Sequence, residues 1–198
     1  CRFFYKKGQS FLVVIEQKPH VRSLSFDKEI LGKFKNPSKV RSRKDRTELI
    51  QLSLPYIVFV FHFKNLSKNS SSAFFEIQGF YSGWRKKSLS SFEDELYHPL
   101  LPNIHTNLNI CMGHKWSLKG DNISNLVNKA LTDYWSSVFN DDLSDFWWEK
   151  RNYDNRFTTA YSWAEETKSN SDFILSANFG KPYKKLENLV NLCVLYEE

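Results

Sequence analysis

The hydrophobic positions change period along the chain, and each change predicts an element. Residues 11–15 form a short β-branched and aromatic run that stops before Pro19, the pattern of a strand. Residues 56–63, YIVFVFHF, follow Pro55 and are apolar on both faces, which suits a central strand and is too short for a membrane span. A serine-rich piece, residues 67–72, reads as a hairpin loop leading to a further strand, FFEIQGFY, at 74–81. Together these strands predict an antiparallel meander.

Between residues 82 and 112 periodicity is lost, with Gly83, Pro99 and Pro102 breaking any regular element. Its apolar content argues against disorder, so this is a long structured loop of the kind that carries function. Ile123, Leu126, Val127, Ala130, Leu131, Tyr134, Trp135 and Val138 then recur at spacings of three and four, the stripe of an amphipathic helix. Asp121 or Asn122 caps its start, and the pattern ends near Asn140. An acidic turn and a second helix bearing Phe146, Trp147 and Tyr153 are expected next. Beyond Ser169 the signals weaken, and residues 186–195 fit a helix or a strand equally. Strands followed by helices define the fold class as α+β, an antiparallel β-meander followed by an active-site loop and helices. The expected division is an N-terminal strand and basic segment at 1–48, a core at 49–168 and a C-terminal extension at 169–198.

Length and composition narrow the classes. At 198 residues the chain fits one domain, and 41% hydrophobic with 25% charged residues excludes disorder throughout. No stretch of about 20 apolar residues predicts a membrane span. The formal net charge is +6, much of it in one run that includes Arg41, Arg43, Lys44 and Arg46. That run is a solvated loop or an anion-binding segment facing nucleic acid or an acidic protein. Cys1, Cys111 and Cys193 make an odd set without CxxC spacing, which suggests neither a disulfide framework nor zinc, and favours the cytoplasm or another reducing compartment. No signal peptide is visible, although in a chain that begins at Cys1 and not Met this carries little weight. No cofactor motif is present.

One local string is specific. LPNIHTNLNICMGHKW, at 101–116, places Asn103 eight residues before Cys111, within a Pro-Asn pair, and Trp116 with Ser117 shortly after it. It resembles the active-site segment of ubiquitin-conjugating enzymes, in which a Pro-Asn pair precedes the catalytic cysteine at this distance. Ile104, Asn107, Ile110 and Met112 fit the same pattern. Asp141 and Asp142 lie about thirty residues past the cysteine, where that family places an acidic residue near the incoming amine. The chain departs from the pattern in three places. Leu101 stands where the eukaryotic enzymes have histidine, with His98 three positions upstream. Leu108 stands where glycine is common and implies a different turn. RKKSLSSFEDELYHPL, at 85–100, replaces the expected proline-rich segment. The resemblance is therefore to divergent prokaryotic or mobile-element members, over roughly residues 50–160.

The resemblance implies a fold and a chemistry. Cys111 carries a ubiquitin-like protein as a thioester, received from an activating-enzyme-like protein and passed to an amine. Asn103 donates to the oxyanion or fixes the enclosing loop, and Asp141 or Asp142 orients the amine and assists its deprotonation. Each residue also has a plainer reading. Cys111 as a small buried hydrophobe would make the chain an inactive scaffold within a larger assembly. Pro-Asn alone is a turn, and Asp141 with Asp142 an ordinary helix end. His98, His105 and His114 match no familiar metal spacing, while His114 sits close enough in sequence to lower the thiol pKa. A third class is a nucleic-acid-associated subunit that uses the basic run, with Trp147 and Trp148 as a stacking platform.

Overall fold

The computed structural model describes residues 1–28, 30–31, 46–67, 73–113, 116–140 and 153–195. Six strands lead the chain: β1 (Phe3–Lys7), β2 (Ser10–Gln17), β3 (His20–Asp27), β4 (Thr47–Leu54), β5 (Tyr56–Asn65) and β6 (Phe75–Arg85). Short strands β7 (Glu95–Leu96), β8 (Lys119–Gly120), β9 (Val138–Phe139) and β10 (Lys184–Lys185) are interspersed with helices α1 (Ile123–Ser136), α2 (Ala160–Ser169), α3 (Phe173–Ser176) and α4 (Leu186–Leu195). The architecture is α+β.

The leading strands fold back and forth. β1 pairs antiparallel with β2, β2 with β5, β3 with β4, and β5 with β6. Register runs through the long central ribbon without a slip: Gln17 faces Ile57 and, further on, His20 faces Leu54. Pro19 therefore falls level with Pro55. Neither has an N–H for the ladder, and at this level the ribbon divides into two sheets. One has the order β1-β2-β5-β6-β8, the other β4-β3-β9.

Strand β5 is buried on both faces, which explains its unbroken apolar run. Ile57, Phe59, Phe61 and Phe63 join the large core under α1, while Val58 and Val60 join Leu12, Val14 and the α4 residues Leu186 and Leu189 on the other side. Phe61 stacks on Phe80 with centroids 4.5 Å apart, and Tyr134 of α1 meets Phe59 edge-on at 6.0 Å. Each such buried ring contributes about 1.5–3 kcal/mol. Helix α1 buries Leu126, Val127, Ala130, Tyr134 and Trp135, and of its two candidate caps it uses Asn122, whose side chain accepts the Asn125 N–H. Helix α2 lies on β4, where the Trp163 indole donates to Ser53 O at 3.0 Å and the Ser53 N–H donates to Thr167 Oγ1 at 2.9 Å.

Several expectations need correction. Helix α1 stops at Ser136, short of Asn140: both the N–H and hydroxyl of Ser137 bond to Tyr134 O, and β9 then pairs parallel with Ser25 and Phe26. Phe139 is buried against Phe26, so the apolar stripe continues past the helix in a different conformation. Gly83 does not break β6. A Cβ there would meet Leu96 Cβ at 3.0 Å, so its lack of a side chain admits β7. Residues 186–195 are helical. The 68–72 loop and Phe146, Trp147 and Trp148 lie outside the described residues, and exposed Tyr153 precedes a 3-10 turn at Asn155–Phe157. Among the described residues no helix is long and apolar enough to cross a membrane.

Candidate functional site

The site is assembled where the loop after β6 returns to the sheet edge. Ile104 faces Ile110 and Asn109 faces Tyr81. The Ile110 N–H donates to Phe80 O at 2.7 Å and the Ser82 N–H to Leu108 O at 2.9 Å, so residues 104–110 form a small hairpin laid against β6. Its tip is closed by His105 N–H to Asn109 O at 2.8 Å and Leu108 N–H to His105 O at 2.9 Å. This is a three-residue hairpin loop, whose last position is left-handed. Leu108 occupies it with φ 74°. Residue 108 thus takes a conformation that favours glycine. Its side chain is fully buried among Leu12, Val58 and Leu186, and that packing offsets a backbone strain of about 1–3 kcal/mol. Buried His98 braces the same hairpin, with its ring nitrogens 2.9 Å from Pro99 O and 3.0 Å from His105 O.

Asn103 is the junction of the site. It is buried, has φ 65°, and its carbonyl accepts the Cys111 N–H at 2.8 Å. Its side chain points elsewhere: Nδ2 donates to Val138 O at 2.9 Å, and Oδ1 accepts the Asn140 N–H at 3.2 Å. Through one residue the backbone of the cysteine is tied to the strand that follows α1.

Cys111 is half-buried and lines a groove of about 460 Å³ together with Asn103, Met112, Trp116, Asp133 and Asn140. Trp116 stacks on Phe80 with centroids 6.1 Å apart, and its Nε1 donates to Asp133 Oδ2 at 3.2 Å. Lys129 reaches Asp133 Oδ1 at 3.1 Å from one helical turn earlier. Asp133 escaped sequence reasoning because an aspartate four residues after a lysine reads as a solvated helical ion pair; only the Trp116 bond reveals that it faces the cysteine's groove. The groove thus combines a thiol, a carboxylate and an anchored turn.

The other two thiols are placed differently. Cys1 is exposed, whereas Cys193 on α4 is sealed in the second core and burial pushes its thiol up to about 11, the Tyr81 bond opposing only in part. Asp141 and Asp142 lie outside the described residues, as do His114, Arg41, Arg43 and Lys44. Arg46 is described: its guanidinium is 3.6 Å from the Asp27 carboxylate and its carbonyl accepts the Lys28 N–H, both at the open end of β3 and β4. Among the described residues no group of three or more His, Cys, Asp or Glu is placed to hold a metal ion. Comparison with known proteins returned no matching family model, no matching curated sequence and no matching solved structure.

Proposed function

We propose that the chain is a divergent ubiquitin-conjugating-like protein, which accepts a ubiquitin-like protein on Cys111 as a thioester and passes it to an amine. One observation carries the reading: Cys111 and Asn103, paired by the sequence motif, line the same groove and are joined by a backbone hydrogen bond. The half-burial of Cys111 weighs against the scaffold reading, in which the thiol only packs.

In the loading step the Cys111 thiol gives up its proton, and the thiolate attacks the thioester carbonyl presented by an activating-enzyme-like protein. A new C–S bond forms and the donor thiolate leaves. In discharge a substrate amine attacks the Cys111 thioester, a C–N bond forms, the amine proton departs and Cys111 leaves as thiolate. Asn103 acts as a positioning residue, because its amide is already bonded to Val138 and Asn140; it ties the turn before Cys111 to the strand after α1. Asp133 joins Asp141 and Asp142 as a carboxylate for orienting the amine.

The test is incubation with ATP, a ubiquitin-like protein and its activating enzyme. Wild type should form an adduct that thiols release, and Cys111→Ser an ester that thiols leave intact and alkali cleaves. If wild type forms no adduct while iodoacetamide still labels native Cys111, the thiol is reachable but not a carrier, and the reading fails.

A further inference from the structure

Strand β1 closes one side of the five-stranded sheet, and along it Phe4, Tyr5, Lys6 and Lys7 are all exposed. Phe4 is 58% and Tyr5 42% exposed, two large side chains on opposite faces of one edge strand. The direction of the free backbone groups follows from the neighbouring strand. Gln9 O accepts the Asn65 N–H at 2.8 Å, whereas Val14 O accepts the Arg2 N–H at 2.8 Å, so odd-numbered residues here turn to β5 and even-numbered ones to β1. Ser10, Leu12 and Val14 face Lys7, Tyr5 and Phe3, whose amides therefore point inward. Phe4 and Lys6 are left with N–H and C=O directed away from the sheet.

An edge of this kind accepts a further strand, and lysines on it ordinarily discourage the addition. Here the sequence FFYKK is complementary to itself. A bonded register must set outward amides opposite outward amides, which leaves two-fold axes centred on Phe4, on Tyr5 or on Lys6. Centring on Phe4 puts Lys6 opposite Arg2, and centring on Lys6 puts two lysines together; both oppose like charges. Centring on Tyr5 sets Phe4 against Lys6 and Phe3 against Lys7, with no like-charged pair. Lysine against phenylalanine is a cross-strand pair this hairpin already makes, since Lys6 faces Phe11 and its Nζ lies 5.3 Å from the centroid of that ring.

We propose that β1 is the docking edge for a second copy of this chain, added antiparallel about a two-fold axis through Tyr5. Phe4 and Lys6 of each copy exchange backbone hydrogen bonds with Lys6 and Phe4 of the other, and the two five-stranded sheets become one. Trp116 of the Cys111 groove stacks on Phe80 of β6, across β2 and β5 from this edge, so the dimer stands apart from the reading of Cys111.

Sedimentation equilibrium should show the mass rising toward that of a dimer between about 1 μM and about 1 mM. Phe4→Lys, which opposes like charges, should associate at least about tenfold more weakly than Phe4→Glu, which pairs opposite ones, because the axis repeats each pair. A side chain this exposed accepts either change without loss of the fold. Lys6→Pro removes an outward N–H alone and should weaken association by about tenfold or more. The register is read by disulfide trapping in a chain carrying Cys1→Ser and Cys111→Ser, whose remaining Cys193 is sealed. Tyr5→Cys sets two thiols in a non-hydrogen-bonded pair about 4.5 Å apart at Cα, and should cross-link at least about tenfold faster than Lys7→Cys. A chain that stays monomeric to about 1 mM, Phe4 variants that associate alike, undiminished association of Lys6→Pro, or equal trapping at residues 5 and 7 overturns the proposal.

Discussion

The side-chain oxygen of Asn103 accepts the peptide N–H of Asn140 at 3.2 Å, while its side-chain nitrogen donates to Val138 O at 2.9 Å. One amide satisfies a donor and an acceptor of the strand after α1, and no aliphatic residue does either. Asn103→Ala removes both bonds and forces an alanine into a left-handed position, so a loss of about 2–4 kcal/mol in urea unfolding is expected. Asn103→Gly loses the same bonds without the backbone strain and should retain about 1 kcal/mol more. An alanine variant within 0.5 kcal/mol of wild type, about the scatter of a surface substitution, would remove Asn103 from its role as a clamp.

Leu108 invites an inverted mutational order. Leu108→Ala deletes a fully buried side chain at a cost of about 2–4 kcal/mol and keeps the strain at φ 74°. Leu108→Gly deletes slightly more but frees the backbone, and should melt above the alanine variant by the equivalent of about 1 kcal/mol. Calorimetry on the two proteins decides the matter, since at an ordinary core position the glycine variant melts lower.

The three thiols should separate by reactivity. At pH 7–8, iodoacetamide followed by mass mapping should find Cys1 and Cys111 alkylated in the native protein, because one is exposed and the other lines a groove. Cys193 should react only after unfolding, with burial holding its thiol up at about 11. Native protection of Cys111 equal to that of Cys193 would contradict the groove as described.

Stability should fall at acid pH for identifiable reasons. The Arg156 guanidinium leads in holding the Asp154 carboxyl at about 2, with the Asn178 N–H assisting against burial. At Asp94 burial pushes upward, but the N–H groups of Ser90 and Ser91, the Ser90 hydroxyl and Arg85 outweigh it and bring the group to about 2. Both values lie below the ordinary 3.8, so both carboxylates contribute fully above that pH, and their contribution is lost as pH falls through about 2. Urea midpoints from pH 5 to 2 should drop steadily in wild type and less steeply in Asp154→Asn and Asp94→Asn. Variants that match the wild-type slope would place the acid sensitivity elsewhere.

Where the sequence was legible, burial was the reason. Strand β5, the outer part of β6 and helix α1 announce themselves because their apolar residues meet a core on a regular period, and Asn122 caps α1 from the position its residue type suggests. Strands β3 and β4 were silent: Val21 and Leu49 are exposed while Arg22 faces inward, so their apolar pattern contradicts their pleat. Val138 matched the helical stripe although it lies half-buried in a strand, beside the fully buried Phe139. The Asn103–Cys111 spacing was readable because it is local. Asp133 was not, because its place beside the thiol depends on how Trp116 crosses from β6 to α1, a contact spanning 17 residues.

Pro19 and Pro55, level with one another in the ribbon, act as a firebreak in a zipper. The break lies in the hydrogen-bonded ladder alone, because Leu24, Phe26, Leu52 and Leu54 of β3 and β4 share one core with Phe59 and Phe61 of β5. The lesser half also carries β9, and through Val138 it holds the side chain of Asn103. Any loosening of that half is therefore felt first at Asn103, the residue whose carbonyl receives the Cys111 N–H.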